Sequence, residues 1–125
     1  VSRIAMATPY IAATNEKEKA YLESHGIQVV AMAGLGLNDS PEGIQRMSRV
    51  PPAEVYAHAR AVDQDDAEAV LICCTDFATA DVLAPLEAEL GKPVISSNSA
   101  GLWAALRKAG ITDPIEGYGR LLDGR

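Results

Sequence analysis

Positive charge is scarce in this chain: 11 Lys and Arg stand against 17 Asp and Glu, a formal net charge of −6. No local basic run offsets that excess, so the electrostatic footprint required by a nucleic-acid partner is missing. Long apolar runs are missing as well. The longest, residues 29–37, is broken by two glycines and falls far short of the roughly 20 residues that span a bilayer. The two cysteines, Cys73 and Cys74, are adjacent and staple no distant segments together, which points to a reducing, cytoplasmic setting. Histidine is confined to His25 and His58, too few for a metal-ligand constellation. We expect no secretory signal, because the sequence opens directly on a strand-like segment. The chain begins with Val1 rather than methionine, so we expect it to be trimmed or part of something longer.

What is present is ordinary globular material. With 125 residues, 48% hydrophobic and 22% charged, the chain suits one compact domain. Four strand-like runs alternate with four helix-like runs, the pattern of an α/β fold with an open parallel sheet and helices on both faces. The strands are predicted at residues 3–8, 27–33, 69–73 or 69–74, and 93–96. Asn15 with Glu18 three residues later reads as the N-cap of the first helix, and Gly26 as its left-handed terminator. A second helix follows Pro51-Pro52, with Val55, Ala59 and Val62 on its inner stripe. The third carries Ala78, Val82, Leu86 and Leu90, with Pro85 expected to kink or split it. The fourth follows Asn98 and turns Leu102 and Leu106 inward. The connection over residues 34–51 reads as a long functional loop.

Open parallel sheets bind ligands beyond the carboxyl ends of their strands. Here those ends hold Thr8-Pro9-Tyr10, residues 34–40, Cys74-Thr75-Asp76 and Ser96-Ser97-Asn98. Cys74 is the most informative of them. It follows a buried strand and stands directly before a predicted helix capped by Thr75 or Asp76, where the helix dipole and open amides would favour thiolate. The same residue also reads as a small buried hydrophobe. Cys73 points to the opposite face and belongs to the core. A phosphatase loop would need an arginine near the cysteine, where Thr79 and Ala80 stand. A redox dithiol would need two intervening residues. A phosphoacceptor domain would need acidic residues at strand ends that hold Thr8, Tyr10 and Cys74. Gly34 and Gly36 lack the third glycine of a dinucleotide site. Tyr10 reads either as a donor to a substrate oxygen or as a lid on the core, and Ser96–Ser99 either as pocket lining or as a capping cluster. His25 and His58 are expected on the surface away from this rim, and Trp103 in the core.

Arg3-Ile4-Ala5-Met6-Ala7-Thr8-Pro9-Tyr10-Ile11 followed by Asn15 resembles the opening of the second half of maleate cis-trans isomerases and arylmalonate decarboxylases. These belong to the aspartate/glutamate racemase superfamily. The resemblance continues through Leu71-Ile72-Cys73-Cys74-Thr75, Leu86-Glu87 and Gly91-Lys92-Pro93-Val94-Ile95-Ser96-Ser97. Trp103 and Gly117-Tyr118-Gly119-Arg120-Leu121-Leu122 complete it.

The resemblance implies one lobe of a two-lobe racemase-like fold, residues 1–125 forming the carboxyl-terminal lobe, with the active site in the cleft between lobes. It implies a decarboxylase or cis-trans isomerase acting on a small dicarboxylate of malonate or maleate type, with no metal and no organic cofactor. An amino-acid racemase of the same superfamily and a non-catalytic ligand-binding lobe stand as alternatives. Cys74 matches the catalytic cysteine that protonates a carbanion or enediolate. Tyr10 matches a tyrosine on the substrate carboxylate, and Thr75 falls where a backbone amide holds the oxyanion. Asn38 lies near a family substrate contact, and Thr8 completes the substrate-binding set beside Tyr10. Thr75-Asp76 after the cysteine is closer to isomerase-like members, whereas the loop around residues 43–50 looks more decarboxylase-like. Expected partners are the small carboxylate and the missing first lobe or a second copy of the chain.

Overall fold

The computed structural model describes residues 1–124 as a four-stranded parallel sheet with helices on both faces. The strands are β1 (Arg3–Thr8), β2 (Gln28–Gly34), β3 (Ala69–Ile72) and β4 (Val94–Ser96), in the order β2-β1-β3-β4. The helices are α1 (Ala12–Ser24), α2 (Pro41–Met47), α3 (Pro52–Val62), α4 (Ala80–Leu90), α5 (Ser97–Lys108) and α6 (Arg120–Asp123). β1 lies between β2 and β3, and its residues from Ile4 to Thr8 are all buried. Strands covered on both faces carry continuous apolar sequence for that reason.

The alternation of the strands divides the core in two. Ala5, Ala7, Val70 and Ile72 face Val55, Ala59 and Val62 of α3 and Val82, Leu83 and Leu86 of α4. Ile4, Met6, Val29, Ala69 and Cys73 face the other way, against Leu22 of α1. Phe77 and Leu86 are among the most deeply buried side chains, each contributing about 1.5–3 kcal/mol of hydrophobic stabilisation. A buried carboxylate closes the far end of the lobe. Glu87 accepts the Val94 amide at 2.9 Å and the Arg120 amide at 2.8 Å, while Arg120 Nε stands 3.9 Å away. This ties the carboxyl-terminal segment to both α4 and β4.

Several expectations are corrected. α1 begins at Ala12, with Ile11 in the capping position, so Asn15 is a buried member of the first turn and not the cap. The connection over residues 34–51 is not a plain loop: it folds into a 3-10 turn, Leu37–Asp39, and then α2, capped by the Ser40 side chain on the Gly43 amide. α4 begins only at Ala80, so Ala78 is outside it, and Pro85 sits in an unbroken helix rather than splitting it. A proline there forfeits one early-turn hydrogen bond. α5 starts at Ser97, capped by a reciprocal Ser96–Ser99 box. It packs chiefly on β4 and α6, which leaves Leu102 and Trp103 exposed rather than in the core. The Trp103 ring is covered in part by the Arg107 guanidinium, 5.4 Å from its centroid.

Candidate functional site

The parallel sheet gathers the carboxyl ends of its strands along one rim. β1 ends in Thr8, and the turn Pro9-Tyr10-Ile11 leads into α1. The Tyr10 phenol stands near enough to Cys74, across the gap between β1 and β3, for the two groups to act on each other electrostatically. Burial first, and then the neighbouring Cys74 side chain, push the Tyr10 phenol well above its ordinary pKa. At pH 7 Tyr10 is therefore a neutral donor.

β3 ends at Ile72, and Cys73 adds one more bond to β1 through its amide on the Ala7 carbonyl, 2.9 Å. The backbone then reverses at Cys74, which has φ +101°, the sole non-glycine residue with positive φ among the described residues. That conformation is costly for any side chain with a Cβ. It is held by neighbours on every side. The Cys74 amide donates to Ser97 Oγ at 3.2 Å, and its carbonyl accepts the Phe77 amide at 3.3 Å. Asn98 Nδ2 donates to the carbonyls of Thr75 (3.1 Å) and Phe77 (3.4 Å). The thiol itself lies 4.0 Å from the Met47 sulfur, under α2.

This turn overturns the expected helix at Cys74. Because Phe77 drops into the core and Asn98 engages two of the turn carbonyls, α4 cannot start until Ala80. The α4 dipole acts within its own first turn and does not reach the thiol. What stands beside Cys74 instead is open main chain. Thr75 and Asp76 are exposed, and neither amide has an acceptor among the described residues. The serine cluster divides accordingly: Ser96 and Ser99 cap α5, while Ser97 and Asn98 shape the cysteine turn.

Cys73 is the opposite case. It is packed with Ile4, Met6 and Val29, and burial, reinforced by nearby Glu18 and Cys74, pushes its thiol up to about 12.

Thr8 and Asn38 stand behind Tyr10. Thr8 is fully buried, its hydroxyl accepting the Tyr10 amide at 3.0 Å. Asn38 Oδ1 accepts the Ile11 amide at 2.6 Å, and its Nδ2 donates to Thr14 Oγ1 at 2.8 Å.

His58 is not remote from this rim, contrary to expectation. It is half-buried, and its Nε2 donates to the Thr8 carbonyl at 2.9 Å. Its signal was available: residue 58 adjoins the Val55–Ala59–Val62 stripe and must face the same strand. Asn15 was likewise missed as a site residue. His25 is exposed, as expected.

A cavity of about 380 Å³ opens beside the rim, lined by Phe77, Thr79, Leu83, Asn98, Leu102 and Tyr118, with neither Cys74 nor Tyr10 in its wall. Among the described residues no cluster of three or more His, Cys, Asp or Glu is placed to hold a metal ion. Nor is any helix long and apolar enough to cross a membrane.

A family model described as arylmalonate decarboxylase matches residues 1–122. The arylmalonate decarboxylase of Bordetella bronchiseptica is 36% identical over 98% of this chain and 51% of its own length. The maleate isomerase of Nocardia farcinica is 33% identical over 96% of this chain and 47% of its own. The chain thus spans about half the length of the curated relatives it matches.

Solved structures agree. A liganded double mutant of arylmalonate decarboxylase superposes with a TM-score of 0.90 at 33% identity, over 100% of this chain and 53% of that one. The Nocardia farcinica maleate cis-trans isomerase bound to TRIS gives 0.91 at 31%, over 98% and 49%. A mutant of that isomerase, with a covalently bound succinylcysteine intermediate, gives 0.90 at 29%, over 99% and 49%.

Proposed function

The chain belongs to the arylmalonate decarboxylase family, and from that premise we propose that it is the carboxyl-terminal lobe of a two-lobe, cofactor-independent enzyme. Its substrate is a small dicarboxylate of the malonate or maleate type, and its reaction is decarboxylation or cis-trans isomerisation through Cys74. The observation that carries this reading is the Cys74 turn. A thiol held at φ +101° stands near a neutral Tyr10 hydroxyl and is followed by two amides with no acceptor among the described residues.

Each part has a chemical task. In decarboxylation the bond from the α-carbon to one carboxyl group breaks, carbon dioxide leaves, and the electron pair spreads into the remaining carboxylate as an enediolate. Cys74 then gives its proton to the α-carbon, and the thiolate is reprotonated from water. In isomerisation a cysteine thiolate of the other lobe adds to one alkene carbon and Cys74 gives its proton to the neighbouring carbon; the new single bond rotates, the proton returns to Cys74 and the sulfur leaves again. The Nocardia relative holds a covalently bound succinylcysteine intermediate in a mutant with one cysteine replaced by serine, so the cysteine bearing that adduct is a different one from the cysteine replaced.

Both routes build negative charge on a carboxylate oxygen, and donors aimed at that position lower the barrier. The Thr75 amide fills this role, with the Asp76 amide beside it, and Tyr10 donates to the substrate carboxylate. Thr8 and Asn38, expected as substrate contacts, instead support the Tyr10 turn from behind, their polar atoms engaged with Asn15, Tyr10, Ile11 and Thr14. The other lobe, or a second copy of the chain, closes the cleft.

The test is turnover of maleate and of substituted malonates by the complete protein, with a metal chelator present. Cys74→Ala should abolish turnover, while Cys73→Ala retains most of it. Equal losses, or full activity in Cys74→Ala, would reject the assignment.

A further inference from the structure

The Tyr10 hydroxyl is aimed by a turn whose polar groups are all taken, and one side chain in that set has no assigned part. Thr8 Oγ1 accepts the Tyr10 amide at 3.0 Å and lies 2.5 Å from Asn15 Oδ1. Thr8 is 0% and Asn15 4% exposed, so water cannot substitute for either. A hydroxyl has one proton and two lone pairs, whereas an amide oxygen only accepts. The Thr8 proton must therefore point at Asn15, which turns a lone pair toward the Tyr10 amide.

The rest of the turn is fixed by main chain. The Thr8 carbonyl accepts from His58 Nε2 (2.9 Å) and from the Leu35 amide (3.1 Å). The carbonyls of Pro9 and Tyr10 accept the amides of Leu37 (2.8 Å) and Gly36 (3.1 Å). Gly34 presses on the same spot: a Cβ there would lie 2.0 Å from the Tyr10 oxygen and 2.5 Å from Asn15 Nδ2.

We infer that Asn15 is a positioning residue, which sets the Thr8 hydroxyl and through it holds the Tyr10 turn in place at the rim on the Cys74 side. The inference rests on the reading of Tyr10 and Cys74 as reaction partners. Asn15 touches no substrate. Its contribution is pre-organisation, and a misplacement of about 1 Å in a reacting group costs on the order of 100-fold in rate.

Two pairs of variants in the complete protein test this. Asn15→Leu keeps the volume and removes the acceptor, while Asn15→Asp keeps an acceptor oxygen. Thr8→Val removes the relay, while Thr8→Ser retains it. The readouts are kcat and KM on the accepted dicarboxylate, and the ultraviolet titration of Tyr10, assigned by difference from Tyr10→Phe. Asn15→Leu and Thr8→Val should lower kcat by tenfold or more with little change in KM, and let the Tyr10 phenol ionise at lower pH. Asn15→Asp and Thr8→Ser should restore most of both. Wild-type kcat in Asn15→Leu, or a loss of kcat with the Tyr10 titration unmoved and no rescue by Asp, would overturn the inference. If Tyr10→Phe itself turns over normally, the site reading fails, and the titration alone then decides whether Asn15 holds Tyr10.

Discussion

Cys74 carries a Cβ at φ +101°, and the cost of that conformation can be measured without any substrate. Cys74→Ala and Cys74→Gly both remove the thiol; they differ in whether the Cβ stays. A residue with a Cβ in the left-handed region is penalised by about 1–2 kcal/mol. Glycine escapes that penalty but loses roughly 0.5–1 kcal/mol through the greater freedom of the unfolded chain. The difference leaves Cys74→Gly about 1 kcal/mol more stable than Cys74→Ala. At a site with ordinary negative φ the order would be reversed, so the sign alone is diagnostic. Urea unfolding of the two variants, with a slope of about 1–3 kcal/mol per molar, should separate their midpoints by about 0.3–1 M. Equal midpoints, or alanine above glycine, would refute the claim that the turn stores strain at the cysteine.

Three further outcomes follow from the geometry. Glu87→Gln leaves one of two amides, on Val94 or Arg120, without its charged acceptor. It should cost about 1.5–3 kcal/mol by denaturant unfolding, and proteolysis should clip the carboxyl-terminal segment sooner; unchanged stability would contradict the anchoring role. Cys73 holds its proton to about pH 12 in the folded chain but releases it near 9.0 when ordinary. Between those values the unfolded state binds fewer protons, so stability falls as pH rises from 9 to 12. Cys73→Ala should remove that part of the alkaline slope, and an unaltered slope would count against burial as its source. Gly34→Ala places a methyl 2.0 Å from the Tyr10 carbonyl oxygen. It should displace the Tyr10 turn and reduce turnover at least tenfold; an active, normally stable Gly34→Ala enzyme would mean the turn yields more easily than its contacts imply.

Much of the architecture is written in local pattern. Arg3–Thr8 is apolar, central and closed by Pro9, so its bounds are legible to the residue. The stripe of α3 is equally plain, because Val55, Ala59 and Val62 recur at helical spacing. Asn15 and Glu18 imitate a capping pair, yet α1 begins earlier because Asn15 is drawn inward by Thr8. The same kind of long-range contact delays α4: Asn98 reaches back 23 residues to the Thr75 carbonyl, which no window around Cys74 can reveal. The environment of Cys74 is a strained turn with open amides and not a helix terminus. Trp103 has the composition of a core residue, and only the packing of α5 shows it outside the core with the Arg107 guanidinium over part of its ring.

The two donors beside Cys74 belong to the peptide backbone, so any residue other than proline at positions 75 and 76 supplies them. On the proposed reading, side chains there can be exchanged for a bulkier or smaller guest while both amide donors stay in place. Exchanging Thr75 therefore leaves both amides and the local charge in place, whereas exchanging Asp76 keeps the amides but removes a negative charge beside them.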